Sequence, residues 1–209
     1  MRQLSIHEAA IRLKNGGLLL YPTETFFGIG CRVSNEDAIA RIFQVNRRLL
    51  AMPLPVILAD AEQLALVAQV PPNLTEDVTR LENAFWPGPL SVILPARMHI
   101  SPLLTGGSGH IAVRVSPHPV PCELAALVGE PIVASSANIS GQPAVTRAEE
   151  LDAELVEAVG TVLDQGPAPS GGAPSTLVEP LGKGRLRIHR SGAVTDEQLR
   201  AAAFVPETH

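Results

Sequence analysis

Apolar positions along the chain come in short blocks whose spacing alternates between the helical and the extended period. Ser5 with Glu8 forms a capping box that opens a helix, and Gly16-Gly17 closes it. Leu18 to Tyr21 is a short apolar run that reads as a buried strand. Ser34 then caps a helix carrying Ala38, Ile39, Ile42 and Phe43 on one face. Leu54 to Leu58 is the next strand. Helices are expected over Asp60 to Ala68 and Thr75 to Phe85, the second stopped by Pro87-Gly88-Pro89. Strands follow at Leu90 to Leu94 and Ile111 to Val115, then a helix from Val120 to Val128 that ends at Gly129, then a strand over Ile132 to Ala134. Thr146 and Glu149 read as a second capping box. Val162-Leu163, Thr176 to Val178 and Leu186 to His189 read as strands, Gly166 to Pro174 is a Gly/Pro-rich loop, and Thr195 caps a last helix.

This alternation predicts a single α/β domain over 1–209 with a mixed sheet, its core at about 5–194 and a C-terminal helix and tail at 195–209. Several strands follow one another with no helix between them, so a plain doubly wound fold is not expected. Ligands of such sheets sit in loops just past strand ends.

Composition narrows the class. Hydrophobic residues make up 45% and charged residues 18% of 209, enough for a packed core without disulfide or metal staples. Aromatics are only 3%, so the core is aliphatic and rows of base-stacking rings are not available. Lys and Arg number 16 against 21 Asp and Glu, which argues against a chain built mainly to wrap nucleic acid. Cys31 and Cys122 form neither a C-x-x-C pair nor a disulfide framework, and no apolar run approaches the roughly 18 residues of a membrane span. A soluble, cytoplasmic protein is expected.

Four segments could carry chemistry. Tyr21 to Gly30 (YPTETFFGIG) gathers hydroxyls, a carboxylate and glycines after a strand, though hydroxyls in a turn also serve to satisfy backbone. Asn46-Arg47-Arg48-Leu49 puts two cations at a helix C-terminus, where they also suit the helix dipole. Ser135 to Gly141 (SSANISG) supplies small hydroxyls and an amide, which also suit a cap or turn, but it is not G-x-S-x-G and has no assignable base. Arg114 and Arg190 stand near the ends of two strands; converging with Arg48 they would make an anion clamp. Thr105 to Gly109 is Gly-rich without the ending of a P-loop, and the histidines show no metal spacing. The residues alone indicate a polar, arginine-lined pocket for a phosphate- or carboxylate-bearing small molecule.

In that order these segments, with FWPGPLSVILPA, IAVRVSPHP and IVASSANISGQP, resemble the YrdC-like family, the threonylcarbamoyl-AMP synthases, in the short single-domain form. The resemblance spans about Ser5 to Val194. It implies a YrdC-like α/β domain, a twisted mixed sheet with helices around a large basic cavity. It implies a nucleotidyltransferase that joins L-threonine, bicarbonate and ATP into threonylcarbamoyl-AMP and pyrophosphate, ordinarily with Mg2+, for tRNA threonylcarbamoyladenosine modification by a downstream transferase complex. Carried over by position, Thr23, Arg114, Ser136 and Ser175 would bind threonine, and Arg48, Asn138, Thr146 and Arg190 would bind ATP. No residue is expected to act covalently and no protein metal site is expected; alignment and charge neutralisation do the chemistry. The family's K-x-R-P reads Asn46-Arg47-Arg48-Leu49 here, so one lysine is missing. Losing such a cation should weaken a phosphate clamp by about 1–3 kcal/mol, which bears on activity more than on fold. Two other readings stay open: a paralogue with another substrate or little activity, and a non-catalytic RNA-binding module. The acidic balance and scarce aromatics count against the second.

Overall fold

The computed structural model describes residues 4–207, so the last two residues of the 195–209 tail lie outside it. Helix α1 (Ile6–Lys14) starts at the expected capping box: the Glu8 amide donates to Ser5 Oγ at 3.3 Å and the Ser5 amide donates to Glu8 Oε2 at 2.9 Å. Its buried face, Ala9, Ala10 and Leu13, joins a core with residues of the helix over 119–128.

Strand β1 (Leu19–Pro22) turns back at once into β2 (Phe27–Gly30), pairing Leu19 with Gly30 and Tyr21 with Gly28. The predicted loop after the first strand is therefore a hairpin turn of only four residues. The glycines of its G-I-G run have a steric cause. A Cβ on Gly30 would lie 2.0 Å from the Val133 carbonyl oxygen and 2.9 Å from the Tyr21 ring. Tyr21 fills that space and donates its hydroxyl to the same carbonyl at 2.8 Å.

Helix α2 (Glu36–Val45) buries Ala38, Ile39, Ile42 and Phe43 as expected, but Asn35 rather than Ser34 caps it, accepting from the Ala38 amide at 2.9 Å. Ser34 is instead held by Glu130. After β3 (Val56–Leu58), the expected helix over Asp60 to Ala68 splits into a 3-10 turn (Ala61–Gln63) and one turn of α3 (Leu64–Val67). Then come α4 (Thr75–Phe85), β4 (Leu90–Pro95), the short α5 (Pro102–Thr105), β5 (His110–Val115), α6 (Pro119–Val128), β6 (Ile132–Val133) and β7 (Ser135–Ser136). The second capping box does not form. Thr146 precedes a 3-10 turn (Ala148–Glu150) without a side-chain cap, and its amide donates to Glu150 rather than capping with Glu149. The real helix there, α7 (Ala153–Val159), is capped by Asp152, two residues past that turn. Val162 makes only an isolated bridge to Leu20. Strands β8 (Thr176–Gly182) and β9 (Arg185–Arg190), helix α8 (Asp196–Ala201) and β10 (Val205–Glu207) complete the chain.

Two sheets result: β1-β2-β7, all antiparallel, and the mixed seven-stranded β10-β9-β8-β4-β5-β3-β6. The tail after 194 is part of the larger sheet, through β10 paired parallel to β9. Along β5, Ile111, Val113 and Val115 point into the main core, which also takes Leu90, Val92 and Leu94 of β4. Strand alternation then turns Ser91 and Arg114 to the opposite face of that sheet. That face meets the hairpin and β7, and the site lies where they meet. Among the described residues no helix is long and apolar enough to cross a membrane.

Candidate functional site

A hollow enclosing about 110 Å3, inside a cleft of about 560 Å3 that opens to solvent, is bordered by Thr23, Arg48, Arg114, Ser136, Ser175 and Arg190. Six of the eight residues singled out from sequence thus meet there, from six separate stretches of chain. Each arginine is delivered by a different device. Arg114 is the second-last residue of β5 and 5% exposed. Arg190 ends β9, where its Nη2 donates to the Ser175 carbonyl at 2.8 Å and to Ser175 Oγ at 3.0 Å. Ser175 Oγ shares a further hydrogen bond with Ser91 Oγ at 3.1 Å.

Arg48 follows the end of α2. The Arg48 amide donates to the Phe43 carbonyl at 2.9 Å and the Arg47 amide to that of Gln44 at 3.2 Å, the pattern of a Schellman motif. Arg47 takes the left-handed position of that motif, φ +50°, which glycine usually fills. The turn leaves Arg48 lining the hollow, with Nη2 donating to the Pro53 carbonyl at 3.0 Å and Nε buried with no partner among the described residues. Arg47 points elsewhere, to an exposed ion pair with Glu154.

Asn46 is not part of the hollow's lining. It is 3% exposed, its Nδ2 donates to the Ser136 carbonyl at 2.8 Å, and its own carbonyl accepts from the Ser140 amide at 2.8 Å. The residue standing where the resemblance has a lysine therefore fastens α2 to the 135–140 segment. Asn138 and Thr146 also lie outside the lining. Asn138 Nδ2 donates to the carbonyls of Ile139 and Gln142, so it shapes its own turn. Thr23 closes the hairpin, its hydroxyl donating to the Phe26 carbonyl at 2.7 Å, and it also borders the hollow.

Like charges crowd here. Burial, then Arg114, then Arg48 pull the Arg190 pKa below its ordinary value, and burial does the same to Arg48. Such a cluster is relieved by an anion. One counter-charge is built in. Glu24 Oε1 accepts from Arg114 Nε at 3.0 Å and Oε2 accepts from Ser116 Oγ at 2.5 Å. Burial alone would raise the Glu24 pKa; the Arg114 charge and then the Ser116 hydrogen bond outweigh it and hold the carboxyl below its usual range. Reasoning from sequence gave Glu24 no role, although the T-E-T setting placed the only carboxylate of that turn beside two candidate hydroxyls. Cys31 is fully buried and its thiol pKa is pushed up, chiefly by that burial, so it is an inert core residue.

Comparison with known proteins agrees with this geometry. Residues 12–192 match the Sua5/YciO/YrdC family model, described as telomere recombination. The chain is 36% identical over 166 residues to a threonylcarbamoyl-AMP synthase of Stenotrophomonas maltophilia, covering 78% of this chain and 88% of that one. It is 34% identical over 197 residues to one of Bacillus subtilis, covering 94% of this chain and 56% of the relative, so it spans just over half of that longer protein. Among solved structures, Pyrococcus abyssi Sua5 complexed with L-threonine superposes with a TM-score of 0.87 at 32% identity, over 98% of this chain and 58% of that one.

Proposed function

The chain belongs to the Sua5/YciO/YrdC family, and from that membership and the three-arginine hollow we propose that it is a threonylcarbamoyl-AMP synthase. The observation that carries the reading is the convergence of Arg48, Arg114 and Arg190 on one hollow edged with hydroxyls. Threonine's amine and bicarbonate give a carbamate and water. A carbamate oxygen then bonds to the α-phosphorus of ATP, the bond to the β-phosphate oxygen breaks, and pyrophosphate leaves. Each reactant is an anion or carries one. The protein's task is to hold them in line and to neutralise charge, and guanidinium groups fixed in a cleft do both.

In this reading Arg114 grips the threonine carboxylate, with Thr23, Ser136 and Ser175 around the amino acid. Arg48 and Arg190 take the triphosphate. Asn138 and Thr146, outside the lining, are assigned to the nucleotide's far side. Magnesium is the usual companion of ATP. Among the described residues no group of three His, Cys, Asp or Glu is placed to hold a metal, and both oxygens of Glu24 are already hydrogen-bonded. The residues present thus do not form a magnesium site of their own, so the ion is written as part of the substrate and no step is assigned to it. The product is a reactive mixed anhydride, which a separate transferase must consume to modify tRNA; a cytoplasmic setting follows from that role.

The test is pyrophosphate release by the purified chain with ATP and magnesium. The expected result is a rate that requires both L-threonine and bicarbonate. Intact ATP binding with release that ignores either one would refute the reading.

A further inference from the structure

Glu24 sits between two parts of the molecule. Its carboxylate holds Arg114 and Ser116, while its backbone carbonyl accepts from the Ser170 amide at 3.0 Å and Ser170 Oγ at 2.8 Å. Ser170 belongs to the Gly/Pro-rich strap that leads to Pro174 and Ser175 at the hollow. The strap is fixed twice more: Gly171 donates its amide to the Thr25 carbonyl at 2.8 Å, and His118 Nε2 donates to the Pro167 carbonyl at 2.9 Å.

We infer that Glu24 is a positioning residue, moored by the strap, that sets Arg114 to receive the carboxylate of the amino-acid substrate. The inference rests on the synthase reading above. A guanidinium offers five N–H donors in a rigid plane. Fixing Nε on Glu24 Oε1 fixes that plane. Among the described residues the Nη atoms have no hydrogen bond, and Arg114 borders the hollow. Two parallel donors therefore remain for a ligand carboxylate, the geometry of bidentate recognition. Glu24 itself does not border the hollow, so it acts through Arg114. A rival effect has the opposite sign. If Glu24 mainly competed with the ligand for Arg114, removing its charge would tighten amino-acid binding.

Calorimetric titration of the full chain with L-threonine, and separately with ATP, distinguishes these. Glu24→Gln keeps the size of the side chain while weakening its hold on Arg114. It is expected to raise the threonine Kd about tenfold, on the scale of a hydrogen bond to a charged group, and the ATP Kd less than about twofold. In the pyrophosphate assay the threonine KM rises more than kcat falls. Ser170→Ala, which removes one of the strap's bonds to Glu24, shifts the threonine Kd in the same direction by about two- to threefold. Unchanged or tighter threonine binding by Glu24→Gln overturns the inference. Should that variant fail to fold, Ser116→Ala, which frees Glu24 Oε2, carries the same expectation at about threefold, and the same null result overturns it. Wild-type protein that binds no threonine removes the synthase reading and this inference together; wild-type binding with an indifferent variant removes only the inference.

Discussion

Replacing Gly192 by alanine probes whether the end of the strap must sit where it does. Gly192 has no special backbone angle, so its value is the absence of a side chain. A Cβ there would lie 2.2 Å from the Pro174 carbonyl oxygen and 2.7 Å from both the Ser175 carbonyl carbon and the Thr176 amide nitrogen. All three are backbone atoms and none can rotate away. Restoring ordinary van der Waals contact at about 3.5 Å requires a relative movement of about 1 Å. Overpacking of this kind costs about 1–3 kcal/mol, or roughly 2–4 °C of melting temperature per kcal/mol in a domain this size. The larger effect falls on function. Ser175 moves with its backbone, and Arg190 is held by the Ser175 carbonyl and hydroxyl. A misplacement of about 1 Å in a charge-aligned site costs on the order of a hundredfold in rate. Pyrophosphate release and thermal melts of Gly192→Ala should therefore show a rate loss of about 10- to 100-fold beside a drop of only several degrees. Gly107→Ala is the control: it is strained at φ +79° but meets no atom within 4 Å, and it lies outside the hollow. It should lose stability by about 1 kcal/mol and keep its rate. Equal rates for Gly192→Ala and wild type would refute the reasoning.

Three further outcomes are expected. Arg47→Gly should raise the unfolding free energy by about 1 kcal/mol in urea melts, because it relieves a left-handed backbone and loses only an exposed ion pair; Arg47→Ala, which keeps the strain, should not. The pKa of Glu24 is lowered on folding, so its contribution to stability is full above the ordinary carboxylate value of about 4.3 and is lost as pH falls through the lower folded value. Urea midpoints of wild type and Glu24→Gln should accordingly converge below about pH 4, and a gap that widens there would contradict the assignment. Arg114→Ala should raise the threonine KM, and Arg48→Ala and Arg190→Ala the ATP KM, each by about 10- to 100-fold in steady-state assays; effects crossed between the two substrates would reassign the subsites.

What could be read from the chain follows from the range of the forces involved. Capping at Ser5 and Thr195, the stop at Gly129 and the buried stripe of α2 are local, and they stand where the pattern puts them. The hairpin of β1 and β2 was hidden because Phe27 to Gly30 is a strand for a nonlocal reason: it is clasped by β1 on one side and β7 on the other, and its Gly30 answers to Val133. Ser34 and Asn35 are both good caps, and Glu130, distant in sequence, decided between them by binding Ser34. The false capping box at Thr146 shows the converse. A local signature was present, yet Asp152 offered a cap nearer the residues that α7 buries, Leu155 and Val159. In the site, Arg114 and Arg190 near strand ends and Arg48 after a helix were candidates that solvation or the helix dipole explained equally well one by one, and only the fold sets all three on one hollow. Glu24 was not a candidate, because a carboxylate in a turn is ordinary until the fold sets a guanidinium 3.0 Å away.

The composition of the hollow also limits the kind of catalysis it can perform. Among the described residues its border has five serine and threonine hydroxyls, those of Thr23, Thr25, Ser135, Ser136 and Ser175, yet no histidine and no carboxylate. Ser175 Oγ is engaged by Arg190 and Ser91, and Thr23 Oγ1 gives its proton to a backbone carbonyl. His118, the buried imidazole, is held by the Val120 amide on Nδ1 and bonds Pro167 through Nε2, so it serves the strap and not a nucleophile. A hydroxyl without a base to take its proton is a poor nucleophile, whereas a hydroxyl beside a guanidinium is a good partner for an anion. These hydroxyls and the crowded arginines therefore work toward one end. In the proposed reaction they would hold reactive anions that supply their own nucleophile, the carbamate, and their own leaving group, pyrophosphate.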